Sequence, residues 1–136
     1  MKGILLDTDI ISYFFRGAPS VKEKVEHHLR SGERLNLSVI TYYEVCNGLY
    51  YKDAKKQLER FKEFASYCTI IPLVPEVADI AAKIFSNLRK SGKTVGHTDI
   101  LIAGTAIYYN LQLITNNIKH YQDINGLDLD NWVVSS

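Results

Sequence analysis

Short apolar runs that stop abruptly at polar residues alternate along this chain with stretches of helical periodicity. Residues 3–6 form the first run and end at Asp7, the pattern of a buried parallel strand that delivers a polar group at its carboxyl end. A short helix over 10–15 follows, capped by Asp7 or Asp9 and stopping near Gly17. Pro19 and Ser20 open a helix over 21–30 with Val21, Val25 and Leu29 on one stripe, ended by Ser31 and Gly32. Residues 35–38 read as a second strand. The helix over 40–50 takes Ser38 or Thr41 as its cap. After a break at 52–53 another helix runs to about Ser66, with Ala54, Leu58, Phe61 and Ala65 on its apolar face. Residues 69–73 are a β-branched strand limited by Pro72. Pro75 opens a helix with Val77, Ile80, Ile84 and Leu88 at helical spacing. Residues 91–96 read as a loop, and Thr98 is expected to cap a helix running to about Tyr109. Residues 111–115 form another strand, ending in Asn116 and Asn117. The segment 132–134 is expected to add a short edge strand. No internal repeat is visible.

Strands alternating with helices predict an α/β sandwich around a mainly parallel sheet, with right-handed crossovers. In such sheets ligands bind beyond the carboxyl ends of the strands. Asp7, Asn116 and Asn117 stand at strand ends. Glu44 and Asp99 stand in the first turns of helices that can open onto the same crevice.

Composition narrows the picture modestly. A chain of 136 residues with 46% hydrophobic residues suits one domain, 1–136, with a sizeable core. The net charge of +1 excludes a strongly basic protein whose bulk charge alone would hold nucleic acid. Local charge is less even: residues 52–62 carry five basic and two acidic side chains, and the stretch from Gln122 carries three Asp and no Lys or Arg. Cys46 and Cys68 have no metal-ligand spacing and read as free thiols. No signal segment or span-length apolar run is visible, so a cytoplasmic location without membrane contact is expected.

The candidate chemistry lies in the carboxylates. Asp7, Glu44 and Asp99, gathered in a half-buried cleft, would repel one another unless a cation joined them. Mg²⁺ favours such oxygen ligands, and one or two ions can activate water and stabilise charge during phosphodiester cleavage. Each residue also has a structural rival. Asp7 could be a turn or cap residue, Glu44 a capping-box partner of Thr41, and Asp99 a favourable charge at a helix N-terminus. Asp9 reads as a cap before it reads as a ligand. His97 and His120 read as surface or satisfied histidines. Arg16 could touch phosphate, although solvent exposure is the commoner fate. Tyr42, Tyr43, Tyr50 and Tyr51 read as core or partner surface.

Four pieces in order carry a resemblance that none carries alone: ILLDTDIISYFFRG at 4–17, SVITYYEVCNGL at 38–49, HTDILIAGTAIYYNLQLITNN at 97–117 and HYQDINGLDLDNW at 120–132. Together they resemble PIN-domain proteins, in particular the VapC-type toxins of prokaryotic type II toxin–antitoxin systems. The resemblance implies a three-layer α/β/α sandwich with a central mainly parallel sheet. It also implies a ribonuclease using Mg²⁺ or Mn²⁺, with family carboxylates on Asp7, Glu44 and Asp99. The fourth family position falls on Asn117, and an alternative acidic position falls on His120, so a fourth carboxylate is missing. That departure favours one firmly held ion over two. A homodimer silenced by a cognate antitoxin is implied, with region 19–66 and its Tyr50, Tyr51, Leu58 and Phe61 as contact candidates. Two rivals stand beside the ribonuclease. A catalytically weak or inactive PIN-like module would bind RNA or protein. A phosphatase of the haloacid-dehalogenase type is suggested by Asp-Thr-Asp after a strand, but Ile11 and the missing later acidic pair count against it.

Overall fold

The structure is a computed structural model that describes residues 2–134. Five strands, β1 (Ile4–Leu6), β2 (Asn36–Ser38), β3 (Thr69–Ile71), β4 (Gln112–Ile114) and β5 (Leu129–Asp130), form one sheet in the order β3-β2-β1-β4-β5. Every pairing is parallel, with Leu5 opposite both Asn36 and Leu113. Parallel neighbours need long crossovers, and seven helices provide them. They are α1 (Thr8–Phe15), α2 (Pro19–Ser31), α3 (Val39–Tyr51), α4 (Lys55–Ser66), α5 (Pro75–Lys90), α6 (His97–Tyr108) and α7 (Ile118–Tyr121).

Because side chains alternate across a strand, the sheet feeds two cores. Ile4, Leu6, Leu37 and Ile114 face one cluster with Ile10, Val21, Val25, Phe61 and Phe64, from α1, α2 and α4. Leu5, Ile71 and Leu113 face the other with Ala81, Leu88, Ile102, Ala106 and Tyr121, from α5, α6 and α7. The expected three-layer α/β/α sandwich with its parallel sheet is what the chain forms.

The chain winds outward from β1 to β3 and then returns to the other side of β1 with β4. The order therefore reverses between β1 and β4, and a crevice opens beyond their carboxyl ends. Asp7 follows β1, and Thr115, Asn116 and Asn117 follow β4.

Two close fits hold this region. Asp7 N–H donates to the Ile114 carbonyl at 2.9 Å, carrying the ladder one residue past the strands. Gly104 lets α6 lie against α5: a Cβ there would stand 3.1 Å from the Val77 carbonyl oxygen. That approach sets the depth of α6, whose first turn carries Asp99.

Three sequence expectations are corrected. The edge strand is Leu129–Asp130, not 132–134. Trp132 is instead buried in the core beside Val21 and Val25, because its ring gains more there than on an exposed edge. The cap of α6 is Gly96, so Thr98 already lies inside the helix. Asp9 caps nothing; Asp7 caps α1 by accepting the Thr8 N–H at 2.8 Å. Among the described residues, no helix is long and apolar enough to cross a membrane.

Candidate functional site

A cleft of about 420 Å³ opens at the switch between β1 and β4. Asp7, Asp9, Glu44 and Asp99 line it together with Asn116 and Asn117. All four site residues expected from the sequence, Asp7, Glu44, Asp99 and Asn117, thus meet in one place. They come from positions 7, 44, 99 and 117, from two strand ends and two helices.

Each carboxylate is held differently. Asp7 is buried, with Oδ1 on the Thr8 N–H and Oδ2 accepting from Thr115 Oγ1 at 2.8 Å and Tyr121 OH at 3.0 Å. Burial pushes its carboxyl up to about 6, with the Asp9 charge adding and the three donors opposing. Asp9 accepts the Asn116 N–H at 3.0 Å through Oδ2. Its Oδ1 is buried without a hydrogen-bond partner. Burial raises Asp9 above the ordinary carboxylate range, and the Asp99 charge adds to this.

Glu44 is free of the capping role that rivalled it. Ser38 caps α3, accepting the Thr41 N–H at 3.0 Å, which puts Glu44 beyond capping-box reach. Thr8 Oγ1 donates to Glu44 Oε1 at 2.7 Å and so orients it. Asp99 sits in the first turn of α6, where the helix N-terminus favours its charge. Its Oδ1 lies 3.2 Å from Tyr121 OH and its Oδ2 lies 3.2 Å from His120 Nδ1. His120 stays exposed, as expected of a surface or satisfied histidine, and through this contact it is a partner of the site. His97 is not: it stacks on Phe85 at 4.4 Å, on α5.

The most informative residue that sequence reasoning overlooked is Tyr121. It is fully buried, and its hydroxyl stands between Asp7 and Asp99. Burial, followed by the two carboxylate charges, raises its pKa, so it remains a proton donor. A signal was available: a tyrosine in a tiny helix just beyond a polar strand end needs a partner for its hydroxyl. Asn116 also changes role. Its amide donates to Tyr13 OH at 3.1 Å and accepts from Asn131 Nδ2 at 3.0 Å, so although it lines the cleft its amide is engaged with protein. Asn117 stands just before α7 and is exposed, with its N–H on Thr115 Oγ1 at 3.0 Å.

Among the described residues, none of the four carboxylates is ion-paired with Lys or Arg, and no group of three His, Cys, Asp or Glu side chains is placed to hold a metal ion as it stands. The donor set nonetheless suits a hard divalent cation. Four carboxylates share one cleft, and one buried oxygen, Asp9 Oδ1, has nothing to bind.

On the helical flank, Tyr43, Tyr50 and Tyr51 are exposed, which fits a contact surface. Phe61 does not join them. It is only 1% exposed and packs in the core, because it lies on the inward stripe of α4.

Comparison with known proteins adds a family. The PIN domain model matches residues 4–125. Ribonuclease VapC of Rickettsia bellii is 34% identical over 131 residues, covering 93% of this chain and 94% of that protein. Ribonuclease VapC1 of Haemophilus influenzae is 29% identical over 132 residues, covering 94% and 96%. Among solved structures, VapBC2 from Rickettsia felis, bound to a DNA fragment from its promoter, superposes with a TM-score of 0.86 at 28% identity, covering 95% of this chain and 98% of that one. VapBC-1 from nontypeable Haemophilus influenzae gives 0.81 at 27% identity, covering 96% and 98%.

Proposed function

The chain belongs to the PIN-domain family, among its VapC-type toxins, and from that premise we propose that it is a Mg²⁺-dependent ribonuclease, the toxin of a type II toxin–antitoxin pair. The observation that carries this reading is the cleft itself: Asp7, Asp9, Glu44 and Asp99 share it, and Asp9 keeps a buried oxygen without a partner. Carboxylates that share one cleft repel one another, and a divalent cation relieves that repulsion.

Asp7, Asp99 and Glu44 would hold the ion, with Mn²⁺ as an alternative occupant. When bound, it supplies polarisation of a phosphate oxygen and activation of water. The chain's own residues do the positioning. Tyr121 keeps Asp7 and Asp99 at a set separation. Thr8 aims Glu44, which suits Glu44 to orient the attacking water. Thr115 anchors Asp7 and the backbone of Asn117, and the free Asn117 amide can meet water or phosphate. Accessible single-stranded or loop RNA is the expected substrate class. A cognate antitoxin completes the proposal, supported by a solved neighbour that is a toxin–antitoxin complex from Klebsiella pneumoniae, and the family resemblance adds a homodimer.

The direct test is cleavage of total cellular RNA by purified protein with Mg²⁺, with EDTA, and with Asp7→Ala. Equal cleavage by the Asp7→Ala protein would refute the mechanism. A second reading rests on Asn117, which is neutral where the family places a carboxylate: a PIN-like module that binds RNA or protein with weak or no cleavage. RNA binding without divalent-dependent cutting would select that reading.

A further inference from the structure

The same cleft extends along α1 past the carboxylates. Asp9, Ser12, Tyr13 and Arg16 all line it, and their spacing puts them on one helix face. Asp9 and Arg16 are separated by roughly 10 Å of helix rise. The cleft is therefore acidic at one end and carries a cation at the other.

Arg16 is held in place without being used up. Its guanidinium carbon lies 4.6 Å from the centre of the Tyr13 ring. Tyr13 is itself fixed, because its hydroxyl accepts from Asn116, and Asn116 accepts from Asn131 fifteen residues further on. Asn131 is anchored in turn: its Oδ1 accepts the Val133 N–H at 2.9 Å, next to the buried Trp132. Among the described residues, the Arg16 side chain makes no hydrogen bond and no ion pair. It bonds none of the carboxylates that share its cleft. A guanidinium stacked on an aromatic face keeps its N–H edge free, and that edge matches a phosphate in bidentate fashion.

Resting on the ribonuclease reading, we propose that Arg16 is a binding residue for the RNA backbone, gripping a phosphate beside the scissile one. Asn131 is a positioning residue that acts through Asn116 and Tyr13. Prior stacking removes rotamer freedom that the side chain would otherwise lose on binding RNA. Asn131, just beyond β5, thereby contributes to substrate binding through Asn116 and Tyr13 rather than through the carboxylates. A phosphate contact of this kind adds affinity irrespective of base sequence.

The test compares wild type with Arg16→Ala, Arg16→Lys and Asn131→Ala on a labelled mixed-sequence oligoribonucleotide. Binding is followed by anisotropy in EDTA, and cleavage in Mg²⁺, across a range of salt. Arg16→Ala is expected to weaken binding and raise KM about ten-fold with kcat little changed. Its log-affinity slope against log salt should fall by about 0.7, one phosphate contact on a single strand. Arg16→Lys should keep that slope while recovering only part of the affinity, and Asn131→Ala should raise KM with the slope unchanged. Arg16→Ala binding with wild-type affinity and slope overturns the proposal, as does a loss confined to kcat. Wild type that binds RNA without cutting it refutes the ribonuclease reading, while the binding comparison still decides Arg16. Wild type that does neither refutes both.

Discussion

The hydroxyl of Tyr121 lies 3.0 Å from Asp7 Oδ2, across 114 positions of sequence, and 3.2 Å from Asp99 Oδ1. One phenolic proton is thus shared between two carboxylate acceptors. The donation opposes the burial that raises Asp7 and so favours its anionic form. Tyr121→Phe removes that donor while keeping the buried ring. Divalent-dependent RNA cleavage should fall about 10–100-fold, the usual cost of losing a residue that orients a metal ligand. The fold should survive, because one such hydrogen bond contributes about 1 kcal/mol. Circular dichroism and a melting curve check the fold. Undiminished cleavage by Tyr121→Phe would show that the shared hydroxyl has no part in the chemistry.

Asp7 also sets a pH dependence for the metal-free protein. Its carboxyl sits at about 6 in the fold against 3.8 in its ordinary state, with burial the main cause. Between these values the folded state binds more protons than the unfolded one, so stability falls as pH rises from about 4 to about 6 and then levels. The gap corresponds to about 3 kcal/mol at most. Asp7→Asn should flatten this portion of the curve. Asn caps a helix about as well as Asp, so the Thr8 N–H keeps its acceptor and the α1 cap is retained. Melting temperatures in EDTA from pH 4 to 7 measure the change in slope. A wild-type protein whose stability climbs through this window would contradict the assigned environment of Asp7.

The contact between α5 and α6 sets a steric limit at Gly104. An added Cβ would meet the Val77 carbonyl oxygen at 3.1 Å and Ala81 Cβ at 3.3 Å. Alanine can be absorbed by small shifts, and it gains about 1 kcal/mol in helix propensity. Gly104→Ala should therefore stay within about 1 kcal/mol of wild type. Gly104→Val adds a branch that must push α6 away from α5, at about 3 kcal/mol. Because α6 carries Asp99, Gly104→Val should also lose cleavage well below its melting temperature. Equal melting points for the two variants would mean that the interface is looser than these distances.

Much of this site was legible before the structure because its positions follow from periodicity. A run ending at Asp7, a helix starting before Glu44 and another before Asp99 place three carboxylates at one end of any parallel sheet. Their supports were not legible. Tyr121 reaches Asp7, and Asn116 reaches Asp9, over more than a hundred residues, and no local pattern encodes such a contact. The role of Asp9 depended on which aspartate accepts the Thr8 N–H, a choice made by backbone geometry rather than residue type. β5 escaped detection because two residues carry no period, whereas the bulkier Trp132 drew the expected strand toward itself. Phe61 stood both on the apolar face of its helix and, through the family resemblance, among the contact candidates; the fold keeps only the first, because that face turns inward.

Asn117 offers the sharpest test of how many ions the cleft can hold. It lines the cleft with Asp7 and Asp99, is exposed, and, among the described residues, its side-chain amide has no hydrogen-bond partner. Asn117→Asp therefore adds a carboxylate at almost no packing cost, and the metal-free melting temperature should move by no more than a degree or two. The new charge shares the cleft with four acidic side chains, so it has unfavourable neighbours until a cation binds. Divalent ions should then stabilise the variant more than wild type, with the Mn²⁺-dependent rise in melting temperature starting at several-fold lower concentration. Isothermal titration should read either a tighter first ion or a second one. Identical titrations for the two proteins would place Asn117 outside metal reach and confine its part to contacts with water or phosphate.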